Sequence, residues 1–302
     1  MENEIYETIA TVDPITKFTK NTILRITSKC FTLQSMQGSH GETYLNSFEG
    51  TALAISFRDD NGHHTTGSAT IVGPGVAISA KHVIEEWLDD ITQSDTAIVG
   101  QGVSKIGLEL WNIEKVTLLD STDLAILSIK RCSELPDNLE IYTTHITTRT
   151  PAIGDKVLLT GFSADRRTAT AHDPLGINVT LRLCHGEVVE VWHKGRDRIM
   201  LPGPSFAVNC PAFGGMSGGA VFDHHGHLTG IVSSSMEGDE IAYVSHIWPA
   251  LVTKFEPTWP RISNSTYLLS MGAKKCVRIH RPDAFTPDIK EGQFAITYTP
   301  WS

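Results

Sequence analysis

The chain has 302 residues, of which 40% are hydrophobic and 20% charged, with a formal net charge of −9 and an isoelectric point near 5.8. This length can supply two packed cores or one large one. The acidic balance, without a stripe of Lys and Arg interleaved with aromatic residues, argues against nucleic acid as a partner. The longest apolar runs are short and interrupted, so neither a membrane span nor a membrane partner is expected.

The N-terminus and the cysteines predict a cytoplasmic location. MENEIYETIATVDP has neither the apolar core of a secretory signal nor the arginines of a transit peptide. The cysteines form no C-x-x-C pair and are expected to be mostly buried, reduced thiols: Cys30, Cys132, Cys184, Cys210 and Cys276. A Cys184–Cys210 disulfide is the alternative if the protein is exported.

Strand signals begin after an N-terminal region, 1–48, that contains only a weak helical pattern. From Thr51 the sequence runs through TALAISF, GSATIVG, GVAISA, TAIVG, IGLELW, KVTLL and DLAILSI, separated by turn residues such as DDNG and GPG. Short apolar or alternating runs at this spacing predict an all-β sandwich or barrel.

A second series of strand signals follows a polar stretch near residue 145. It comprises DKVLLTGF, INVTLRLCHGEVVEVW, RIMLPG, FAVNC, GGAVFD, HLTGIVSSS and IAYVSHI. WPALVTKF then predicts a short helix opened by Pro249. We therefore expect two β-rich halves, 49–145 and 146–255, between extensions at 1–48 and 256–302.

The thirteen histidines raise the question of a metal site. Their clusters, NGHHTTG and DHHGHLTG, lie beside Gly and Asn or Asp between apolar runs, which is typical of hairpin turns. No Cys or carboxylate stands at ligand spacing on a helix face. The clusters are therefore predicted to be solvated turn histidines, and no metal is expected.

The segment FGGMSGGAVF places Ser217 among four glycines. One interpretation is a tight turn, since Gly and Ser dominate turns. The other is a nucleophile, which needs open space and bare backbone N–H groups near the attacked carbonyl. A serine nucleophile also requires a base elsewhere in the chain.

Two arrangements of a catalytic serine were compared. The nucleophile elbow of α/β-hydrolases requires a helix directly after the serine, but Gly218 and Gly219 oppose helix initiation, and AVFDHHGHLTGIV predicts strand, turn, strand. The alternative chain order is His, Asp, Ser. His82 lies at the end of the strand signal in ISAKHVI, and Asp123 precedes the apolar run in STDLAIL.

These segments resemble the chymotrypsin-like, or trypsin-like, serine peptidases. ISAKHVI resembles the family's His box, DLAIL its Asp box, GGMSGGAVFDHHGHLTGIVSS its Ser box and PAIGDKVLLTGF the strand that opens its second barrel. The resemblance covers roughly residues 50–250 and is closest to the intracellular and bacterial branch that includes the high-temperature-requirement proteases. It implies two six-stranded antiparallel Greek-key β-barrels with the active site between them.

The resemblance also implies a serine endopeptidase acting on a polypeptide substrate without a cofactor. Ser217 would be the nucleophile, His82 the base, and Asp123 the group that orients the histidine, while the backbone N–H groups of Gly215 and Ser217 would form the oxyanion hole. Two alternatives stay open: a catalytically silent recognition module, and an esterase on the same fold.

Met216 is a departure from the secreted members, which usually carry an Asp before the serine to pair with a new N-terminus. Met cannot form that ion pair, so activation by N-terminal trimming is not expected. Control by the extensions, a regulatory protein partner or oligomerisation is expected instead.

The specificity pocket is expected to have three walls, 210–212, 233–235 and 241–243, with Pro211, Ser233, Ser235 and Ile241 as its candidate residues. No acidic residue lies at its base, and GIVSSS contains no His. Since an unpaired buried charge is costly, small or medium apolar side chains are the expected substrate residues.

Overall fold

The computed structural model describes residues 4–9, 23–31, 41–42, 45–59, 62–91, 97–132, 140–164, 179–235, 240–259, 264–290 and 293–301. Most of these residues form β-strands: β1 Glu4–Ile9, β2 Ile23–Lys29, β3 Gly41–Glu42, β4 Ala52–Asp59, β5 Gly62–Gly73, β6 Val76–Ser79, β7 Ala97–Ser104, β8 Gly107–Leu118, β9 Ala125–Arg131, β10 Glu140–Thr144, β11 Ile146–Thr147, β12 Lys156–Ala164, β13 Val179–Trp192, β14 Ser205–Val208, β15 Ala220–Phe222, β16 Leu228–Ser235, β17 Ala242–His246, β18 Ile279–His280, β19 Phe285–Lys290 and β20 Gln293–Tyr298.

The helices are short: α1 Lys81–Glu85, α2 Leu88–Ile91, α3 Trp248–Leu251 and α4 Leu268–Ala273, with 3-10 turns at Leu45–Phe48 and Pro282–Ala284. Within the described ranges, none has the length and apolar character that crossing a bilayer requires. The helix predicted at WPALVTKF is α3, with Pro249 in its first turn.

The first barrel closes in the order β4-β5-β6-β9-β8-β7, with every neighbouring pair antiparallel. Its strands are rich in β-branched and aliphatic residues, which suit a pleated, buried surface. Leu53, Ile78 and Ile126 are fully buried. Their burial removes apolar surface from water, which is the main driving force for closing the barrel.

The second barrel consists of β12, β13, β14, β17, β16 and β15, and the antiparallel β15–β16 pairing closes it. It has its own apolar core, in which Val157, Phe206 and Val244 are fully buried. The prediction of two six-stranded antiparallel barrels is therefore confirmed.

The terminal extensions pack directly on the barrels. Strand β2 pairs in parallel with β10, and β18 pairs in parallel with β11, which itself pairs with β16. Trp259 contacts Trp111 of the first barrel edge-on, with ring centroids 6.2 Å apart. In the region 1–48, where a weak helical pattern was expected, the described residues form the strands β1, β2 and β3 and one 3-10 turn, Leu45–Phe48. Pairing of β2 with β10 outweighs a weak local preference there.

Two further sequence predictions concern the segment RIMLPG and the cysteines. RIMLPG is not a strand; it lies in an irregular segment between β13 and β14. None of the five cysteines forms a disulfide within the described residues, and both Cys184 and Cys210 are buried.

Candidate active site

Side chains from both barrels meet at a cavity of about 550 Å³, and His82, Asp123 and Ser217 all line it. His82 lies in α1, the single helical turn that follows β6. Asp123 lies in the turn before β9, and Ser217 in the turn before β15. Residues 135 positions apart in sequence thus share one site because the two barrels pack against each other.

Three contacts of hydrogen-bond length join His82 to the carboxylate of Asp123. The backbone N–H of His82 donates to Asp123 Oδ1 at 3.0 Å, and Nδ1 of the ring lies 2.9 Å from Oδ2 and 3.1 Å from Oδ1. A carboxylate only accepts hydrogen bonds, so Nδ1 carries the proton and the neutral ring keeps Nε2 as an acceptor. This is the tautomer that a general base requires.

The pKa of His82 is raised above its usual value. Partial burial of the ring opposes the charged form, but the hydrogen bond and the charge of Asp123 outweigh it, and Glu86 and Glu85 contribute in the same direction. The side chain of His82 is 49% exposed, whereas that of Asp123 is 11% exposed. The carboxylate is therefore shielded, while the ring remains accessible from the cavity.

The turn that carries Ser217 is held by backbone contacts with the first barrel. Ser68 N–H donates to the Ser217 carbonyl at 2.7 Å, and Ser68 Oγ donates to the Gly215 carbonyl at 2.9 Å. The Met216 N–H donates to the Phe213 carbonyl at 2.9 Å. Gly215 (φ +94°) and Gly218 (φ +85°) adopt left-handed backbone conformations that are unfavourable for residues with a Cβ.

Close packing explains the second glycine pair of the segment. A Cβ at Gly218 would lie 1.9 Å from the Ser68 carbonyl oxygen, and one at Gly219 would lie 1.9 Å from that of Thr160. Such distances are far below van der Waals contact. The glycines after Ser217 therefore allow the turn to pack against strands of both barrels.

Ser217 is not hydrogen-bonded to His82 within the described residues. Its hydroxyl donates to the Ser233 carbonyl oxygen at 3.2 Å. The backbone N–H groups of Gly215 and Ser217 donate to no other residue in the described part of the chain. Both N–H groups are thus available as donors.

Met216 is fully buried in the apolar core of the second barrel. Its sulfur accepts a hydrogen bond from the Phe213 N–H at 3.3 Å. A Cβ at Gly161 of β12 would lie 2.8 Å from the Met216 Cα, so this strand runs directly against the turn. Met216 therefore anchors the turn by apolar packing, in place of the ion pair that an Asp at this position would form.

Of the predicted pocket residues, Ser233 lines the cavity, whereas Pro211 and Ile241 are not among the described residues that line it; the side chain of Ser235 lies outside the described part of the structure. A register shift lies between Val232 and Ser234 of β16, where three consecutive residues, Val232, Ser233 and Ser234, line the cavity. The hydroxyl of Ser233 is itself hydrogen-bonded to that of Ser245 at 2.7 Å. Next to Pro211, it is Ala212, Phe213 and Gly214 that form the adjoining wall.

The sequence interpretation missed the wall formed by Arg198, Ile199 and Met200. These residues lie in the segment that was expected to be the strand RIMLPG. Asp197 shapes the segment by accepting hydrogen bonds from three consecutive N–H groups, those of Ile199, Met200 and residue 201. Bonds from Met200 and Ile199 lower the pKa of Asp197 to about 2.

The same segment is fixed at both ends. Arg196 stacks over the Tyr243 ring at 4.2 Å, and Gly203 approaches the first barrel so closely that a Cβ would lie 2.4 Å from the Ser121 carbonyl oxygen. Ile199 is 90% exposed and Met200 47% exposed. An apolar surface is thus presented to the cavity beside Asp123. In the sequence, Asp197 follows Gly195 and Arg196, and this Gly-Arg-Asp turn signal could have identified the wall.

The histidine clusters behave differently from one another. Asp223 to Gly226 forms the turn between β15 and β16, with His224 and His225 exposed as predicted. The prediction is wrong for His227, whose side chain is only 12% exposed. The first cluster contributes His63 and His64 to the backbone of β5 rather than to a turn.

Comparison with known proteins identifies one family. The model described as "Trypsin-like peptidase domain" matches residues 67–231. No curated protein sequence is a significant match. Similar solved structures include the active form of the Rv3671c protease from M. tuberculosis (15% identity, TM-score 0.48, covering 71% of this chain and 86% of that one), Deg5 (17%, 0.47, 67% and 85%) and the HtrA-type protease AlgW with a decapeptide (19%, 0.46, 67% and 62%).

Proposed function

Because the chain belongs to the trypsin-like peptidase family, we propose that it is a serine endopeptidase with Ser217 as its nucleophile. The observation that carries this proposal is the cavity shared by Ser217 and the His82–Asp123 pair. A serine hydroxyl becomes nucleophilic when a neighbouring base removes its proton, and the base works best when a third group orients it.

The reaction proceeds in two halves. Ser217 Oγ attacks the scissile carbonyl carbon while its proton passes to Nε2 of His82, and the N–H groups of Gly215 and Ser217 stabilise the resulting oxyanion. The imidazolium then gives this proton to the leaving amine, and the C–N bond breaks to leave an acyl-enzyme. Water, deprotonated by His82, hydrolyses the ester and restores Ser217. Asp123 stabilises the charged imidazole in both halves.

The substrate proposed is a polypeptide with an apolar residue near the scissile bond. Phe213, Ile199 and Met200 supply exposed apolar surface around the cavity, and Ser233 and Ser234 offer no charge. A Lys or Arg side chain would lose water there without gaining an opposite charge from these five residues, and Arg198 is the one charged residue of the wall that Ile199 and Met200 form. A positional-scanning peptide library tests this: a strong preference for Arg, Lys or Glu would contradict it.

One observation favours a second candidate, a silent recognition module. Ser217 is bonded to Ser233 instead of His82, and a cavity of this kind could bind a peptide without cutting it. In the absence of substrate, however, catalytic hydrogen bonds are often not formed. The peptidase proposal is preferred because the tautomer of His82 already suits a base.

Labelling with a fluorophosphonate tests the nucleophile without knowledge of the substrate. Ser217 Oγ displaces fluoride at phosphorus, and the protein becomes covalently labelled. We expect labelling of the wild type but not of Ser217→Ala, with Ser234→Ala as a matched control that still reacts. Equal labelling of wild type and Ser217→Ala contradicts the assignment, and absence of labelling in the wild type supports the silent module. A labelled protein that cleaves esters but no peptide supports the esterase alternative.

A further inference from the structure

A second cluster of chemically reactive side chains lies outside the catalytic cavity. It consists of Cys30, His145 and His227, none of which lines that cavity. One candidate ligand atom from each residue lies within 4.8 Å of those from the other two. Cys30 Sγ is 3.3 Å from His145 Nδ1. All three side chains are partly buried.

The cluster joins three distant parts of the chain. Cys30 directly follows β2 in the N-terminal extension, His145 lies between β10 and β11, and His227 leads into β16 of the second barrel. Short backbone hydrogen bonds fix these segments to one another: His145 N–H to the Lys29 carbonyl (3.1 Å), Leu228 N–H to the His145 carbonyl (2.7 Å) and Phe31 N–H to the Gly226 carbonyl (2.9 Å). The side chains are therefore held together by a rigid backbone frame.

Asp223 orients one of the imidazoles. Its Oδ1 accepts the backbone N–H groups of His225 and His227, both at 2.9 Å. Its Oδ2 lies 3.7 Å from His227 Nδ1. The carboxylate thus faces Nδ1 and leaves Nε2 of His227 for the other side of the ring. A carboxylate behind an imidazole is the usual outer-shell arrangement of a histidine metal ligand.

Hydrogen bonding alone accounts poorly for this cluster. The Cys30 sulfur lies 3.3 Å from His145 Nδ1, and a ring nitrogen of His227 lies within 4.8 Å of the ligand atoms of both residues. Asp223 Oδ2 and His145 Nε2 are buried and have no hydrogen-bond partner among the described residues. Two imidazole nitrogens that converge on one sulfur match the ligand preferences of a borderline-soft divalent cation.

We propose that Cys30, His145 and His227 bind one Zn²⁺ ion. With bond lengths of about 2.3 Å to sulfur and about 2.0 Å to nitrogen, tetrahedral Zn²⁺ holds its ligand atoms roughly 3.5 Å apart. The Cys30–His145 distance of 3.3 Å already has this spacing, and the other two distances, which do not exceed 4.8 Å, need to shorten by at most roughly 1.3 Å. His280 packs beside His227, with ring centroids 4.8 Å apart, but does not belong to the converging group of ligand atoms, so the fourth position is left to water.

The consequence of the site is a connection between the N-terminal extension and the strand behind the catalytic serine. His227 belongs to the hairpin that continues as β16, which carries Ser233. Binding to the folded state alone stabilises that state by mass action. Zn²⁺ therefore stabilises the docking of the extension on the second barrel, and this role does not depend on the proposed peptidase activity.

The test measures metal binding by the full-length chain, freed of metal with a chelator in the presence of a reductant. We expect one equivalent of Zn²⁺ in competition with a chromophoric chelator, and a higher melting temperature with Zn²⁺ than without. Cys30→Ser and His227→Gln should each weaken binding by more than the roughly 10- to 100-fold typical of losing an outer-shell partner. Cys132→Ser and His224→Gln change an exposed Cys and an exposed His and should bind as the wild type does.

Co²⁺ substitution keeps the proposal testable if a variant fails to fold. The wild type should show a thiolate-to-cobalt charge-transfer band, and His82→Ala should show the same band, which excludes binding at the catalytic histidine. The proposal is overturned if the wild type binds neither ion, if its Co²⁺ spectrum lacks the thiolate band, or if Cys30→Ser binds Zn²⁺ with wild-type affinity.

Discussion

The Ser217 hydroxyl donates its hydrogen bond to the Ser233 carbonyl oxygen, 3.2 Å away. The proposed nucleophile is thus held by β16, the strand that also lines the cavity, and not by its base. Breaking such a bond costs about 1 kcal/mol. This free energy is small compared with that of the contacts that a bound peptide makes. Substrate binding can therefore turn the Ser217 hydroxyl towards His82.

Ser217→Ala and His82→Ala should each reduce kcat by up to roughly a millionfold, because nucleophile and base act as a unit. Ser217 makes only one side-chain hydrogen bond among the described residues, so its loss should change the free energy of unfolding by no more than about 1 kcal/mol. Peptide hydrolysis and chemical denaturation measure the two effects. Wild-type turnover by Ser217→Ala would disprove the catalytic role.

Asp123→Asn should reduce kcat about ten-thousandfold near neutral pH. The Asn oxygen can still accept the His82 N–H, so the fold is retained, but the imidazolium loses its counter-charge. The matched control is Asp120→Asn, since Asp120 also lines the cavity but is not hydrogen-bonded to His82 in the described structure. Steady-state kinetics compare the two, and an equal loss in both variants would count against a specific role for Asp123.

The activity should rise with pH, with a midpoint above the ordinary histidine value of about 6.5. The base must be unprotonated, and the pKa of His82 is raised because Asp123 outweighs the effect of burial. Stability contributed by this pair is therefore fully present below the unfolded pKa and declines as pH rises through the folded one. Measuring kcat/KM as a function of pH tests the expected rise in activity. A turnover that does not depend on pH between about 5 and 8 would exclude a histidine base.

Asp123→Asn should also move this midpoint to lower pH, since the variant removes the charge that raises the pKa of His82. NMR titration of the His82 ring measures its pKa directly, even where the residual activity of the variant is too low for a kinetic pH profile. An unchanged pKa would show that Glu85 and Glu86, rather than Asp123, set its value.

Gly218→Ala should destabilise the protein and abolish labelling of Ser217. The backbone conformation at φ +85° costs about 1–3 kcal/mol for a residue with a Cβ, and the Cβ would collide with the Ser68 carbonyl. Gly214→Ala is the control for stability, because a Cβ there has no neighbour within 4 Å. Thermal unfolding of both variants tests the argument, which fails if they melt alike.

Met216→Asp should lower the stability by several kcal/mol, because the site is fully buried and apolar. Met216→Leu should retain both stability and fluorophosphonate labelling, since it preserves the packing. We also expect full-length protein to label without N-terminal trimming. A need for prior cleavage would contradict the expectation that no N-terminal trimming occurs, and wild-type stability of Met216→Asp would contradict the packing role of Met216.

The sequence by itself determined the β-rich halves and the candidate catalytic residues. Strand alternation and turn residues such as GPG are local signals, so both barrels could be predicted from residues that are close in sequence. The order of His82, Asp123 and Ser217 was equally readable, because each stands in a short segment with its own strand. The family match confirms the resemblance, and the roles of the three residues stay predictions.

Only the tertiary structure decided which residues line the cavity and which histidines are buried. Three consecutive residues line the cavity where the register of β16 shifts, and Asp197 turns the segment of Ile199 and Met200 into a wall. Such effects depend on register and on contacts with other strands, which local patterns do not encode. His227 resembles a solvated turn residue in the sequence. It is partly buried beside Cys30 and His145 because β2, β10 and β16 converge there.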